Sequence, residues 1–208
     1  YDRAVAASGD GLSRARRAEV LLRSGRLADA LKEATAAAAH PGGVHPGAHL
    51  TRGTALLGLG HPAASVVELC AAEARGLGSK SELYLVRGKA LFEVARFRVA
   101  GEDFSRYCAL DPSDAAGAVW ALLAKGALLL QQGRVAAAST AIESAYLRGG
   151  IQAKVLRGAV GEAAAKGLAF RGCVRFLGHK YEIAGLDFKR ALSLSPGDLA
   201  TRHNCAVH

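Results

Sequence analysis

A small residue returns along this chain at an interval that is regular at first and lengthens by about a dozen residues at the end. Ala18, Gly53, Gly88, Gly126 and Gly172 are separated by 35, 35, 38 and 46 residues. Each lies in a stretch whose apolar residues recur at helical spacing, three or four apart. A short side chain at a fixed place lets a second helix approach closely. A period of this length describes one supersecondary unit that cannot bury its apolar faces alone, so neighbouring units must stack.

The stretch from Tyr84 to Pro112, YLVRGKALFEVARFRVAGEDFSRYCALDP, shows the unit most clearly. Tyr84, Gly88 and Leu91 share one face of a first amphipathic helix. Phe97, Ala100 and Phe104 share a face of a second, which Pro112 stops. Gly88 and Ala100 mark the close approach, and the aromatics fill the space beside it.

This pattern resembles the tetratricopeptide repeat, with Arg87 where that family usually has Leu and Leu91 where it often has Tyr. The resemblance implies an all-α, right-handed solenoid of antiparallel helix hairpins. Five repeats are expected, over residues 11–44, 46–79, 81–114, 119–152 and 165–198, in one domain without an internal boundary. Residues 1–10 read as an N-terminal extension. Residues 151–164 read as a helical insertion, either a lengthened helix or an added turn. Residues 199–208 read as a capping helix or the opening of a further repeat. Gly25, Gly60 and Gly133 read as hairpin turns, with His179 in the turn of the last unit. The fourth repeat is expected to end at Gly149–Gly150. The second helix of the first repeat is so rich in Ala that this end is expected to be the softest.

Composition agrees with helices. Half of the residues are hydrophobic but only 6% are aromatic, and β-branched clusters and alternating apolar runs are scarce, so strands are not expected. No apolar run reaches the length of a membrane span. No signal peptide is visible. The chain has no methionine, even at position 1, and reads as a processed or truncated piece from which a targeting segment could have been removed. Cys70, Cys108, Cys173 and Cys205 form no CxxC, and read as small core-packing thiols in a reducing, cytoplasmic or organellar compartment.

A cation precedes each small residue: Arg17, Arg52, Arg87, Lys125 and Arg171. An acid follows 16 residues later in four units, at Glu33, Glu68, Asp103 and Asp187, whereas the fourth unit has Ala141. A fixed offset between the two helices of one hairpin predicts ion pairs within each repeat, and leaves Lys125 as the cation without a partner. The alternative for these cations is a track for phosphates or acidic peptides.

Counting around the first helices places Leu50, Thr54, Leu57, Leu85, Lys89, Phe92, Leu123, Ala127, Leu130, Phe170, Cys173 and Phe176 on an inner wall. This surface is largely apolar and suits an amphipathic helix or an extended apolar segment of a partner. The alternative is that its larger residues fill spaces between repeats. Co-chaperone repeats that grip heat-shock-protein tails use Lys, Asn and Arg on this wall. Here the corresponding places hold Ala15, Glu19 and Thr54, so such a tail is not an expected partner.

No phosphate loop, Ser/His/Asp arrangement or paired-carboxylate motif stands out, and neither an enzyme nor a cofactor is expected. His40, His45 and His49 lie in a Pro/Gly-rich turn without tight ligand spacing, so no metal is expected there either. The net charge is +9, and Arg148, Lys154, Arg157, Lys166, Arg175, Lys180, Lys189 and Arg190 make the C-terminal part strongly basic. Such a surface could touch RNA phosphates, although interleaved aromatics for base stacking are few. The expected function is a non-enzymatic scaffold or adaptor for other proteins within a multi-subunit complex. The alternatives are a structural subunit of a large assembly, for example an organellar ribonucleoprotein, and the repeat part of a co-chaperone.

Overall fold

The structure is a computed structural model that describes residues 11–40, 45–77, 80–153, 159–194 and 196–197. Among these residues there are ten α-helices and no strand. The chain divides into two compact units, Tyr1–Arg96 and Phe97–His208, so the repeat expected at 81–114 is split between them.

The first unit holds α1 (Gly11–Arg23), α2 (Leu27–Ala38), α3 (Pro46–Gly58), α4 (Pro62–Ala72) and α5 (Ser81–Glu93). A π-turn, Glu73–Leu77, follows α4, with Gly76 at φ 92°. Consecutive helices pack on one another, and the first helices also touch, α1 with α3 and α3 with α5. The second unit holds α6 (Phe97–Leu110), α7 (Ala115–Gln131), α8 (Val135–Ala153), α9 (Ala159–Leu177) and α10 (Tyr181–Leu194). Here too neighbours in sequence pack together, and α7 touches α9.

Local chemistry sets the helix ends. Pro46 and Pro62 open α3 and α4, where a missing N–H costs nothing. His45 Nδ1 accepts from the Gly47 N–H at 3.2 Å, and Asp114 Oδ1 accepts from the Ala116 N–H at 2.8 Å. The Asp114 cap starts α7 at Ala115, ahead of the expected position 119.

Five helix ends share one turn. The left-handed residue lies seven positions after the small residue in every repeat: Gly25, Gly60, Ala95, Gly133 and His179, with φ between 58° and 82°. In each, the next N–H reaches back five residues, as Arg26 does to the Leu21 carbonyl at 3.0 Å. This closes the helix by satisfying its last carbonyls.

The small residues hold helices together by what they lack. A Cβ at Gly53 would lie 2.6 Å from Leu69 Cγ, at Gly126 2.5 Å from Ile142 Cγ1, and at Gly172 2.5 Å from Phe188 Cε1. The partner is 16 residues downstream each time. In the first repeat the same two places hold Ala18 and Ala34, both fully buried. A larger first residue there faces a smaller second one, and α1–α2 buries less apolar area per pair.

Two expectations change. Helix α8 runs through Gly149 and Gly150 to Ala153 and does not stop at the glycines; no proline stands there, and glycine only weakens a helix interior by about 1 kcal/mol. The expected insertion 151–164 is accordingly shared between the end of α8 and the start of α9, with 154–158 outside the described residues. Cys70 is exposed and not a core thiol; its sulfur lies 3.9 Å from Arg87 Nη1, at the edge of a charged cluster and not among apolar side chains. The expectations for residues 1–10, 199–208 and Cys205 lie outside the described residues.

Candidate functional site

The ladder of ion pairs deepens along the chain. Arg17 Nη1 is 3.4 Å from Glu33 Oε1, Arg52 Nη2 is 3.0 Å from Glu68 Oε1, and Arg171 meets Asp187 through Nε at 2.9 Å and Nη2 at 2.7 Å. Arg87 and Asp103 are both buried and belong to different units. Within its own unit Arg87 pairs with Glu73, which also accepts from the Tyr84 hydroxyl at 2.9 Å. The Arg87 guanidinium lies 5.4 Å from the centre of the Tyr84 ring.

A second donor occurs one helical turn before the cation. Arg14 stands 3.6 Å from Glu33, and His49 Nδ1 is 2.8 Å from Glu68 Oε2. His49 is therefore part of a structural pair, and among the described residues no group of three His, Cys, Asp or Glu side chains could hold a metal. The sequence signal for this second donor was its position, three residues before the ladder cation. Glu73 carried no such signal, since the equivalent places hold Ala38, Cys108, Tyr146 and Leu192.

The expected inner wall divides into two classes. Leu50, Phe92, Leu123 and Ala127 are buried. They are core residues and not wall residues, because the first helices are covered by neighbours on more than one side. Thr54, Leu57, Leu85, Lys89, Leu130, Phe170 and Cys173 are partly exposed, and Phe176 is exposed. Thr54 turns its hydroxyl back to the Leu50 carbonyl at 2.9 Å, so its outward face is the methyl group. Phe176 stacks edge-on against Tyr181.

The basic surface shrinks in one place. Arg175 Nη1 donates to Asp187 Oδ2 at 2.7 Å, so its guanidinium is held at a carboxylate that Arg171 also binds, and it does not project freely as a surface cation. Arg148, Lys180, Lys189 and Arg190 are exposed. Lys154 and Arg157 lie outside the described residues, as does the side chain of Lys166.

Titratable groups of α6 and α9 respond to burial. Burial pushes the Cys108 thiol up, assisted by the Asp114 carboxylate and partly opposed by Arg148; burial also raises Cys173. Neither is a ready nucleophile. Tyr107 is raised well above its ordinary value by burial and by its hydrogen bond to Asp114. Among the described residues no helix is long and apolar enough to cross a membrane.

Neither a protein-family model nor a curated protein sequence matches the chain. Solved structures do match. YrrB, described as a TPR protein with an unusual peptide-binding site, is 15% identical with a TM-score of 0.58, over 98% of this chain and 96% of that one. TTC0263, a thermophilic TPR protein of Thermus thermophilus, is 16% identical with a TM-score of 0.58, over 95% and 97%. A chain of the APC/C Cut9–Hcn1 hetero-tetramer is 15% identical with a TM-score of 0.67; it matches 99% of this chain, which spans 38% of that one. With its repeated helix pairs, its recurring turn and these likenesses, the chain is, in fold, a tetratricopeptide-repeat-like protein.

Proposed function

We propose that the protein is a non-enzymatic scaffold that holds a segment of a partner protein against the first helices of its repeats. The observation that supports this most is the row of apolar side chains on first helices that packing leaves partly exposed: Leu57 and Leu85 in the first unit, Leu130 and Phe170 in the second. These helices lie side by side within each unit, α3 with α5 and α7 with α9. An apolar peptide face laid across them would bury area that the chain itself does not. The peptide-binding site named for YrrB makes a peptide ligand a natural occupant of this fold.

A second reading is a subunit of a larger assembly that touches RNA phosphates. Exposed Lys180, Lys189 and Arg190 at the last helix pair support it. Each such contact adds to the salt dependence of binding.

One experiment separates the two. The protein is used to capture partners from a lysate, with and without nuclease, at low and high salt, beside the variant Leu57→Ser/Leu85→Ser. A small set of proteins that survives nuclease and salt, and is lost with the variant while its circular dichroism is unchanged, supports the scaffold. The same set retained by the variant overturns the first-helix site. Recovery that vanishes with nuclease favours the assembly subunit.

A further inference from the structure

We propose that the groove between α6 and α7 docks an acidic segment of a partner protein, with apolar side chains flanking its carboxylate and Lys125 as the anchor. The site lies within the second unit and involves α6, a second helix. It stands apart from the first-helix surface above and does not rest on it.

The groove has a volume of about 400 Å³, room for two or three side chains and within the range of peptide and small-ligand sites. Its floor is low because Gly101 has no side chain: a Cβ there would meet only Ala124 Cβ, at 3.9 Å. Phe97 and Leu128 supply apolar lining. The floor thus lets a backbone approach while the lining takes its apolar side chains.

Charge selects the occupant. Lys125 lines the groove and is exposed. It stands at the ladder position whose cations elsewhere have an acid 16 residues on in the sequence, but Ala141 occupies that place and is itself buried. Among the described residues no acid pairs with Lys125. Arg98 and Glu102, also at the groove, neutralise one another at 2.8 Å. Lys125 is left as the unbalanced charge beside an apolar surface. A phosphate would call for several convergent donors; one ammonium next to apolar walls matches a single carboxylate between apolar residues.

The test is an amide chemical-shift titration of the whole chain with two capped tetrapeptides, acetyl-Leu-Glu-Leu-Leu-amide and its Gln counterpart. Saturable shifts are expected over residues 97–105 and 121–128. The Glu peptide should bind roughly threefold tighter than the Gln peptide, the size of one exposed ion pair, and Lys125→Gln should erase that preference. Gly101→Leu should abolish binding by filling the groove, while its melting temperature is held or raised, because leucine is the better helix former. Three results would overturn the proposal: no saturable shift at millimolar peptide, equal affinity for the two peptides, or shifts centred on Leu57, Leu85, Leu130 and Phe170. The last would speak for the first-helix surface instead.

Discussion

Arg171 holds Asp187 with two arms of one guanidinium, Nε to Oδ2 at 2.9 Å and Nη2 to Oδ1 at 2.7 Å. Arg175 adds a third donor, and Asp187 is only 1% exposed. Removing one partner of a buried pair strands the other charge and costs about 3–5 kcal/mol. Asp187→Asn is therefore expected to lower unfolding stability by about 3 kcal/mol or more, read from denaturant midpoints. Glu33→Gln should cost less than about 1 kcal/mol, because Arg14 and Arg17 are a third exposed and sit 3.6 and 3.4 Å away. Equal losses would mean that burial does not set the weight of these pairs.

Gly126 and Ile142 make the second prediction. The Cβ of Gly126→Ala would sit 2.5 Å from Ile142 Cγ1, an atom too close to the backbone to swing aside. Overpacking of this kind costs about 1–3 kcal/mol. Ile142→Ala alone leaves a cavity and costs about 2–5 kcal/mol. Together they recreate the Ala18–Ala34 arrangement of the first repeat, so the double variant should lose less than the sum of the two. Strict additivity in the double-mutant cycle would rule out the contact as the reason for the glycine.

Much of this was legible in the sequence, for a physical reason. Positions where only one size or sign of residue fits leave a repeated mark: the small residue, its bulky partner 16 on, the cation and acid beside them, and the turn seven residues after. What occurs once leaves no mark, and so Glu73 beside Arg87, and Arg175 turned to Asp187, were not foreseen. The inner wall was legible only in part. Helix α7, AAGAVWALLAKGALLLQ, is apolar nearly all round, so periodicity could not say which of Leu123, Ala127 and Leu130 meets solvent. Packing on more than one side decides it, burying the first two.

Ala95 and His179 stand where the other three turns have glycine, with φ of 58° and 60°. A left-handed backbone costs a residue with a Cβ roughly 1 kcal/mol. Ala95→Gly is expected to stabilise the protein by about 0.5–1 kcal/mol, net of the added freedom of the unfolded chain. His179 differs because its Nδ1 lies 2.7 Å from the Tyr181 hydroxyl and its ring meets that of Tyr181 edge-on. His179→Gly loses these contacts and should change stability little. Thermal melts of both variants check this; a loss of stability on Ala95→Gly would refute it.

Tyr107 predicts how stability responds to alkali. Burial first, and then its hydrogen bond to Asp114, raise this phenol above its ordinary value of 10.0. The folded protein therefore keeps a proton that the unfolded chain releases once pH passes about 10. By linkage, the contribution of Tyr107 is fully present below that pH and is lost as pH rises further toward the folded value. Tyr107→Phe keeps the ring in the core but removes the titration. At neutral pH it should cost about 1 kcal/mol, for the hydrogen bond lost at Asp114. Above about pH 10 its stability should fall less steeply than that of the parent. Urea midpoints for both proteins across this range give the difference directly, with other titrating groups common to both. Parallel curves would mean that Tyr107 ionises alike in the folded and unfolded chains.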